Sequence, residues 1–268
     1  MMDFQPPRPP WNWTARLLRL NALAVYIFLY APIVVLIGFS FSASRYSAVW
    51  GGFSTRWYEK LFSNVELRTA LGQTLLLAGS STLCATVLGT LAALGLAKLS
   101  RRLQGPLETA FYLPVIMPDI VLAISLLVFF KTLMPAALGL PAMILSHIAF
   151  NLCYVAAVVG TSLKGFNPRL EEASLDLGAT PWQTFVRIKL PLIWPGILGG
   201  ALLATALSLD EFVIAFFVSA ADSTTLPLQI YAMLKRGVTP EINALASLML
   251  TASILLACLS LFLQKKYP

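Results

Sequence analysis

The chain has 268 residues, of which 58% are hydrophobic and only 12% are charged, and its mean hydropathy is +0.78. Soluble domains carry about 25% charged residues, so this composition excludes an ordinary soluble protein and indicates a polytopic membrane protein. The net charge is +7, but the 19 basic residues lie in short segments between apolar stretches, as the positive-inside rule predicts, so we expect no nucleic-acid partner.

Six apolar stretches are long enough to cross a bilayer, which takes about 20 helical residues. In chain order they cover residues 20–44, 69–97, 107–130, 142–163, 190–221 and 242–264. We therefore expect an all-α fold, with residues 1–19 as a cytoplasmic N-terminal segment and residues 20–268 as a transmembrane domain. Placing both ends in the cytoplasm puts 12 Lys and Arg residues inside and 7 outside, which favours that orientation.

The loop after the first span contains GFSTRWYEKLF, residues 52–62, which predicts a short helix. Ser54 or Thr55 would cap its N-terminus. The same segment is equally compatible with a simple aromatic anchor at the membrane interface. The face presented by such a helix consists of Phe53, Trp57 and Leu61.

The second span is rich in small residues, which let helices approach closely in membranes. They include Gly79, Ser80, Ser81, Gly89 and Gly95. We expect this helix to serve in packing.

The third span contains YLPVIMPDI, residues 112–120, with two prolines. Pro114 and Pro118 each remove a backbone donor, which frees the carbonyls of Ala110 and Pro114. Such breaks persist in membranes only where protein or a wet cavity satisfies the freed groups. Asp119 directly follows the second break.

The fourth span carries the only histidine, His147. A lone His there is more typical of an interfacial or hydrogen-bonded residue than of a ligand or base. Cys84, Cys153 and Cys258 fall in three different spans without paired spacing, so we expect neither a disulfide nor a metal site.

The longest predicted cytoplasmic connection, residues 164–190, indicates two short amphipathic helices. Asn167 would cap the first, and Gly178 offers a left-handed stop. Thr180 and Pro181 repeat the start signal for the second helix. A loop with so much amphipathic helix is expected to dock on a partner.

Within this connection, Glu172, Ala173 and Ser174 are followed by Gly178 and Ala179, and then by Ile188, Leu190 and Pro191. The spacing resembles the EAA motif of the permease subunits of type I ATP-binding-cassette (ABC) importers, and only Ser174 departs from it. The resemblance implies a six-span permease fold in which residues 164–191, hereafter the EAA loop, form a coupling helix on an ATPase subunit. The residues that the resemblance assigns to coupling are Glu172, Ala173, Ser174, Gly178, Ala179 and Pro191.

Further segments, including GFSTRWYEKL, LPVIMPDI, LSLDEFVIAFF and TTLPLQIYAMLKRGVTPEINALA, resemble permeases of bacterial spermidine/putrescine importers, especially the second permease of the pair. The resemblance implies a bacterial inner-membrane location, a partner permease, two cytoplasmic ATPase subunits that bind ATP with Mg, and an extracytoplasmic binding protein. Where those permeases often have two aspartates, this chain has Asp210 and Glu211.

Asp119, Asp210 and Glu211 lie within the apolar spans, where an ionised group costs about 2.5 to 3.5 kcal/mol if exposed to lipid. The span interiors contain no Lys or Arg, so an internal salt bridge is not expected. Protonation or an external cation would relieve the cost, and a polyamine is a chain of ammonium groups. We therefore expect these three carboxylates to line a substrate pathway; the sequence leaves open which of Asp210 and Glu211 faces the cation.

Alternative functions are a permease for another cationic or small polar solute, a proton-coupled secondary transporter and an intramembrane protease. No paired repeat of spans supports the secondary transporter. The protease motifs fail, because Gly79, Ser80 and Ser81 do not match G-x-S-G and Asp176 stands where a Glu-Glu protease needs Arg. No phosphate-binding loop of the G-x-x-x-x-G-K-[ST] type occurs, so we expect a transport subunit without catalytic residues or bound cofactor. The sequence does not distinguish putrescine from spermidine.

Overall fold

The computed structural model describes residues 13–47, 49–237 and 239–266, excluding the side chains of residues 14, 101 and 256–266. This part of the chain contains no β-strand, which confirms the predicted all-α class. The helices are α1 (Trp13–Ser40), α2 (Arg56–Ser63), α3 (Val65–Ala97), α4 (Arg101–Phe111), α5 (Leu113–Ile116), α6 (Asp119–Leu133), α7 (Leu140–Lys164), α8 (Arg169–Asp176), α9 (Pro181–Thr184), α10 (Leu190–Asp210), α11 (Val213–Val218), α12 (Leu226–Arg236) and α13 (Pro240–Lys266).

Four helical runs are long and apolar enough to cross a membrane, and they correspond to the first, second, fourth and fifth predicted spans. They are Ala15–Ser40, Val65–Ala97, Leu140–Lys164 and Pro181–Asp210. The predicted sixth span lies in α13, of which Pro240–Leu255 forms a shorter apolar stretch within the searched residues. The third span is divided into α4, α5 and α6, so the count of six spans and the cytoplasmic location of both ends stay predictions.

The third span breaks at its prolines, as predicted. Pro114 lies in the first turn of α5, and Pro118 is the N-cap of α6. The Cys153 thiol donates to the carbonyl oxygen of Phe111 over 3.2 Å, where α4 ends. Protein therefore satisfies part of this break, although the carbonyl concerned is not one of the two expected from the sequence.

The fifth span differs from the prediction at both ends. At its start, a π-helical turn at Phe185–Lys189 joins α9 to α10, so the second short helix of the EAA loop continues into the span. The Leu190 amide bonds to the Phe185 carbonyl, which widens the turn ahead of Pro191. At its end, α10 stops at Asp210, and Glu211 is extended with ψ 117°.

The chain forms two compact units. Within the described residues, one comprises 13–61 and 239–248, and the other comprises 62–237 and 249–266. In the first unit the Trp57 indole donates to the Ser42 carbonyl over 2.8 Å. Lys60 and Glu241 form an ion pair of 2.7 Å there. In the second unit α7 packs against both α3 and α10. Buried residues form one hydrophobic cluster between α3, α7 and α10 and another between α3, α6, α7 and α11.

Small residues bring the helices of the second unit into close contact. A Cβ atom at Gly89 would lie 2.7 Å from the Leu152 carbonyl oxygen and 2.8 Å from Val155 Cβ. At Gly200 it would lie 3.3 Å from Val155. Gly79 and Gly95, by contrast, meet nothing within 4 Å. Of the small residues predicted to pack, Gly89 and the buried Ser81 thus lie at helix contacts, whereas Gly79 and Gly95 do not.

We predict that Gly89→Ala destabilises the chain by about 1–3 kcal/mol, because the added methyl group overpacks the contact with α7. Gly79→Ala is the matched control on the same helix, where the methyl group meets open space. Thermal unfolding of the detergent-purified proteins should show a lower midpoint for Gly89→Ala and an unchanged or higher midpoint for Gly79→Ala. Equal midpoints would contradict the assigned contact.

Candidate translocation site and EAA loop

Asp119 and Asp210 occupy helix ends in the second unit. Asp119 is the first residue of α6, where its charge suits the positive end of the helix dipole. Asp210 is the last residue of α10. Both are exposed, and neither side chain forms a hydrogen bond or an ion pair with any residue that the structure describes. These two predicted pathway carboxylates are thus accessible and without a cationic partner in the described part of the chain.

Glu211 has a different environment from its neighbour. Its carboxylate accepts the amide of Ile214 over 2.7 Å and the amide of Ala215 over 3.1 Å. Its side chain is only 11% exposed. The apolar run 190–221 predicts one continuous span and therefore no cap within it. The cap exists because α10 ends before Glu211 and α11 begins after it.

His147 supplies the basic partner that the sequence analysis did not find. Its ring is 1% exposed, and Nε2 lies 3.5 Å from Glu211 Oε2. Lys and Arg are absent from the span interiors, and His147 belongs to a helix distant in sequence, so the sequence alone did not indicate this contact. His147 is buried and hydrogen-bonded, as its sequence context favoured, and the sequence context had not favoured a ligand or a catalytic base.

Ser208 lies at the centre of a buried polar cluster that joins three helices. Its hydroxyl lies 2.6 Å from Asn151 Nδ2, 3.2 Å from His147 Nδ1 and 3.1 Å from the hydroxyl of Ser81. His147 and Asn151 are four residues apart on α7, which places them on one helix face. That spacing was the available sequence signal for the cluster, but it did not reveal Ser208 or Ser81 as partners.

The EAA loop forms two helices, as predicted, although Pro168 and not Asn167 is the N-cap of α8. Asn167 Oδ1 accepts the Arg169 amide at 3.1 Å, at the start of α8. Gly178 has φ +83°, which confirms the predicted left-handed stop. Thr180 and Gln183 form a reciprocal capping box at the start of α9. An ion pair of 2.9 Å between Lys189 and Glu171 connects the far end of the loop to α8.

The predicted coupling residues differ in exposure. Glu172, Ala173, Gly178 and Pro191 are exposed, Ala179 is half-buried, and Ser174 is buried. The Ser174 hydroxyl lies 2.9 Å from that of Thr184, so the one departure from the EAA pattern has a hydrogen-bond partner. Leu177 is 89% exposed and Trp182 is 71% exposed. The loop therefore presents an apolar surface around an exposed glutamate.

Long apolar helices, two helix breaks with carboxylates and an outlying amphipathic loop define an all-α membrane permease. The family model for the "binding-protein-dependent transport system inner membrane component" matches residues 85–267. The chain belongs to this family and is an inner-membrane permease subunit of an ABC importer.

Known permeases resemble nearly the whole chain. The putrescine transport system permease protein PotI of Escherichia coli K12 is 41% identical over 252 residues, which cover 91% of this chain and 87% of that protein. The spermidine/putrescine transport system permease protein PotC of E. coli K12 is 40% identical over 237 residues, which cover 88% of this chain and 89% of that protein. PotC of Haemophilus influenzae Rd is 38% identical over 242 residues, which cover 90% of this chain and 94% of that protein.

Solved structures share the fold. A chain of a bacterial ABC transporter that imports the acidic polysaccharide alginate has a TM-score of 0.75 at 20% identity, covering 95% of this chain and 96% of that chain. A chain of the MetNI methionine ABC transporter has a TM-score of 0.62 at 20% identity, covering 75% and 96%. At such identities the likeness concerns the fold alone.

We predict that Ser174→Ala destabilises the EAA loop by about 1 kcal/mol, because it leaves the buried Thr184 hydroxyl without its partner. The double variant Ser174→Ala/Thr184→Val removes both hydroxyls and should recover most of the loss. Thermal unfolding of the purified proteins measures both effects. An unchanged midpoint for Ser174→Ala would contradict the importance of this hydrogen bond.

Proposed function

We propose that this permease forms part of the translocation pathway for polyamines, putrescine or spermidine, in an ATP-driven importer. The observation that carries the proposal is the pair of exposed carboxylates, Asp119 and Asp210, at helix breaks in an apolar chain. The names of its 38–41% identical relatives support the same substrate class.

Charge is the physical reason for this choice. An ammonium group about 4 Å from a carboxylate gains roughly 4 kcal/mol at an effective dielectric constant near 20. Carboxylates held along a path through apolar helices would lower the barrier for a polycation and raise it for an anion. Several weak sites would also allow release, which one tight site would hinder.

The assembly we propose contains a second permease, two ATPase subunits that bind ATP with Mg, and an extracytoplasmic binding protein. The family description names dependence on a binding protein, and an alginate ABC transporter with a TM-score of 0.72 was solved with its periplasmic protein. We place both ends of the chain in the cytoplasm with six spans between them, consistent with the Lys and Arg distribution.

We further propose that the EAA loop docks on the ATPase. Exposed Leu177 and Trp182 provide an apolar contact, and exposed Glu172 provides a polar one. The helical run Pro181–Asp210 is continuous from this loop to the pathway carboxylate Asp210. A displacement of the loop would therefore reach Asp210 through one continuous helical run, which fits alternating access driven from the ATPase.

Radiolabelled putrescine and spermidine uptake tests the pathway. In cells that carry the complete system, we expect Asp119→Asn and Asp210→Asn each to lower uptake by about tenfold, since a lost charge contact is worth at least about 1.4 kcal/mol.

Glu59→Gln is the control, because Glu59 is an exposed carboxylate on α2 outside the proposed pathway. Normal uptake by both aspartate variants at normal membrane levels would reject the pathway. If cationic amino acids were taken up in place of polyamines, the alternative of another cationic solute would hold.

Coupling is tested at Glu172 and Gly178. We expect Glu172→Arg and Gly178→Val to lower co-purification of the ATPase and uptake by about tenfold or more. Val is disfavoured at φ +83°, and Arg reverses the charge of the exposed contact. Glu172→Gln and Gly178→Asn are the controls, because Gln keeps the shape and Asn tolerates left-handed backbone. Normal assembly and transport in the disruptive variants would show that the loop does not dock the ATPase.

A further inference from the structure

Asp210 and Glu211 are adjacent in sequence, but their carboxylates have different surroundings. Asp210 is exposed and has no hydrogen-bond or ion-pair partner among the described residues. Glu211 is mostly buried and uses both carboxylate oxygens inside the protein. The two neighbouring carboxylates therefore have different environments.

The negative charge of Glu211 is compensated from three directions. The amides of Ile214 and Ala215 point at its oxygens from the first turn of α11. Nε2 of His147 approaches Oε2 from α7, at 3.5 Å. Nε2 forms no hydrogen bond with any described residue, so its approach to Glu211 is an electrostatic contact and not a hydrogen bond. The side chain of Glu211 thus joins the α10–α11 break to α7.

The hydroxyl of Ser208 determines what His147 can present to Glu211. Ser208 has one hydrogen to donate and two lone pairs to accept. Asn151 Nδ2 can only donate, so it occupies one lone pair. The Ser81 hydroxyl has two acceptors within reach, the Ala78 carbonyl at 3.4 Å and the Ser208 hydroxyl at 3.1 Å. When it donates to Ser208, Ser208 donates its own hydrogen to His147 Nδ1. That arrangement leaves the hydrogen of a neutral imidazole on Nε2, the ring nitrogen that lies 3.5 Å from Glu211 Oε2.

We propose that His147 is a positioning residue that holds Glu211 in place as the cap of the α10–α11 break. Glu211 is satisfied internally and does not serve as a cation site, whereas Asp210 is the carboxylate of this stretch that meets the substrate. Ser208 and Asn151 set the orientation of the imidazole. The assignment of Asp210 rests on the proposed polyamine transport; the His147–Glu211 contact itself does not.

A double-mutant cycle on the purified full complex tests the contact without any transport measurement. His147→Leu and Glu211→Gln should each lower the midpoint of thermal unfolding by several degrees, and the double variant should lower it by clearly less than the sum. His147→Gln, which keeps a side-chain N–H, should lose less than His147→Leu.

The matched control pairs His147→Leu with Asp210→Asn, and these two effects should add. Additive effects for His147 and Glu211 would overturn the proposal, as would coupling of His147 to Asp210 in place of Glu211.

Uptake kinetics in cells distinguish positioning from substrate contact. Per unit of assembled complex, Glu211→Gln should reduce the maximal rate while changing KM for putrescine by less than about twofold, whereas Asp210→Asn should raise KM by about fivefold or more. A rise in KM for Glu211→Gln equal to that for Asp210→Asn would overturn the proposal. If the wild-type system transported no polyamine, the proposed function would fail, and the unfolding cycle would still decide the His147–Glu211 contact.

Discussion

Polar groups that lie among apolar helices must find their partners within the protein, because lipid offers none. This requirement accounts for the organisation of both helix breaks. Where α4 ends, the Cys153 thiol bonds to the Phe111 carbonyl. Where α10 ends, Glu211 accepts two amides at the start of α11. At these two points, side chains from the same unit supply hydrogen bonds to the interrupted backbone.

The same requirement separates the carboxylates into two kinds. Glu211 is enclosed by amides and His147, and its charge serves the fold. Asp119 and Asp210 are exposed at helix ends, without a cationic partner among the described residues. A carboxylate whose charge the protein does not use is available to a cationic solute, and this difference is the physical basis for the proposed pathway.

Helix α7 links the parts of the second unit. Its contact with Gly89 fixes α3, and its contact with Gly200 fixes α10. It also contributes His147 and Asn151 to the cluster around Ser208. Because α7 makes both the close packing contact and the polar contacts with α10, a shift of α10 relative to α7 would change both kinds of contact. The continuity of α10 with the EAA loop places this arrangement at the far end of the segment proposed to receive motion from the ATPase.

The sequence by itself determined the all-α class, most of the long apolar helices, the proline breaks near Asp119, and the left-handed turn at Gly178. These follow from composition, local propensity and short-range spacing, which need no knowledge of neighbours. Only the tertiary structure decided that α10 stops at Asp210, that Gly89 packs where Gly79 does not, and that His147 faces Glu211. The last two depend on which groups from distant helices meet, and such contacts are not encoded in the spacing of either segment alone. The break after Asp210 has a local cap at Glu211, but an apolar run does not show where its helix stops.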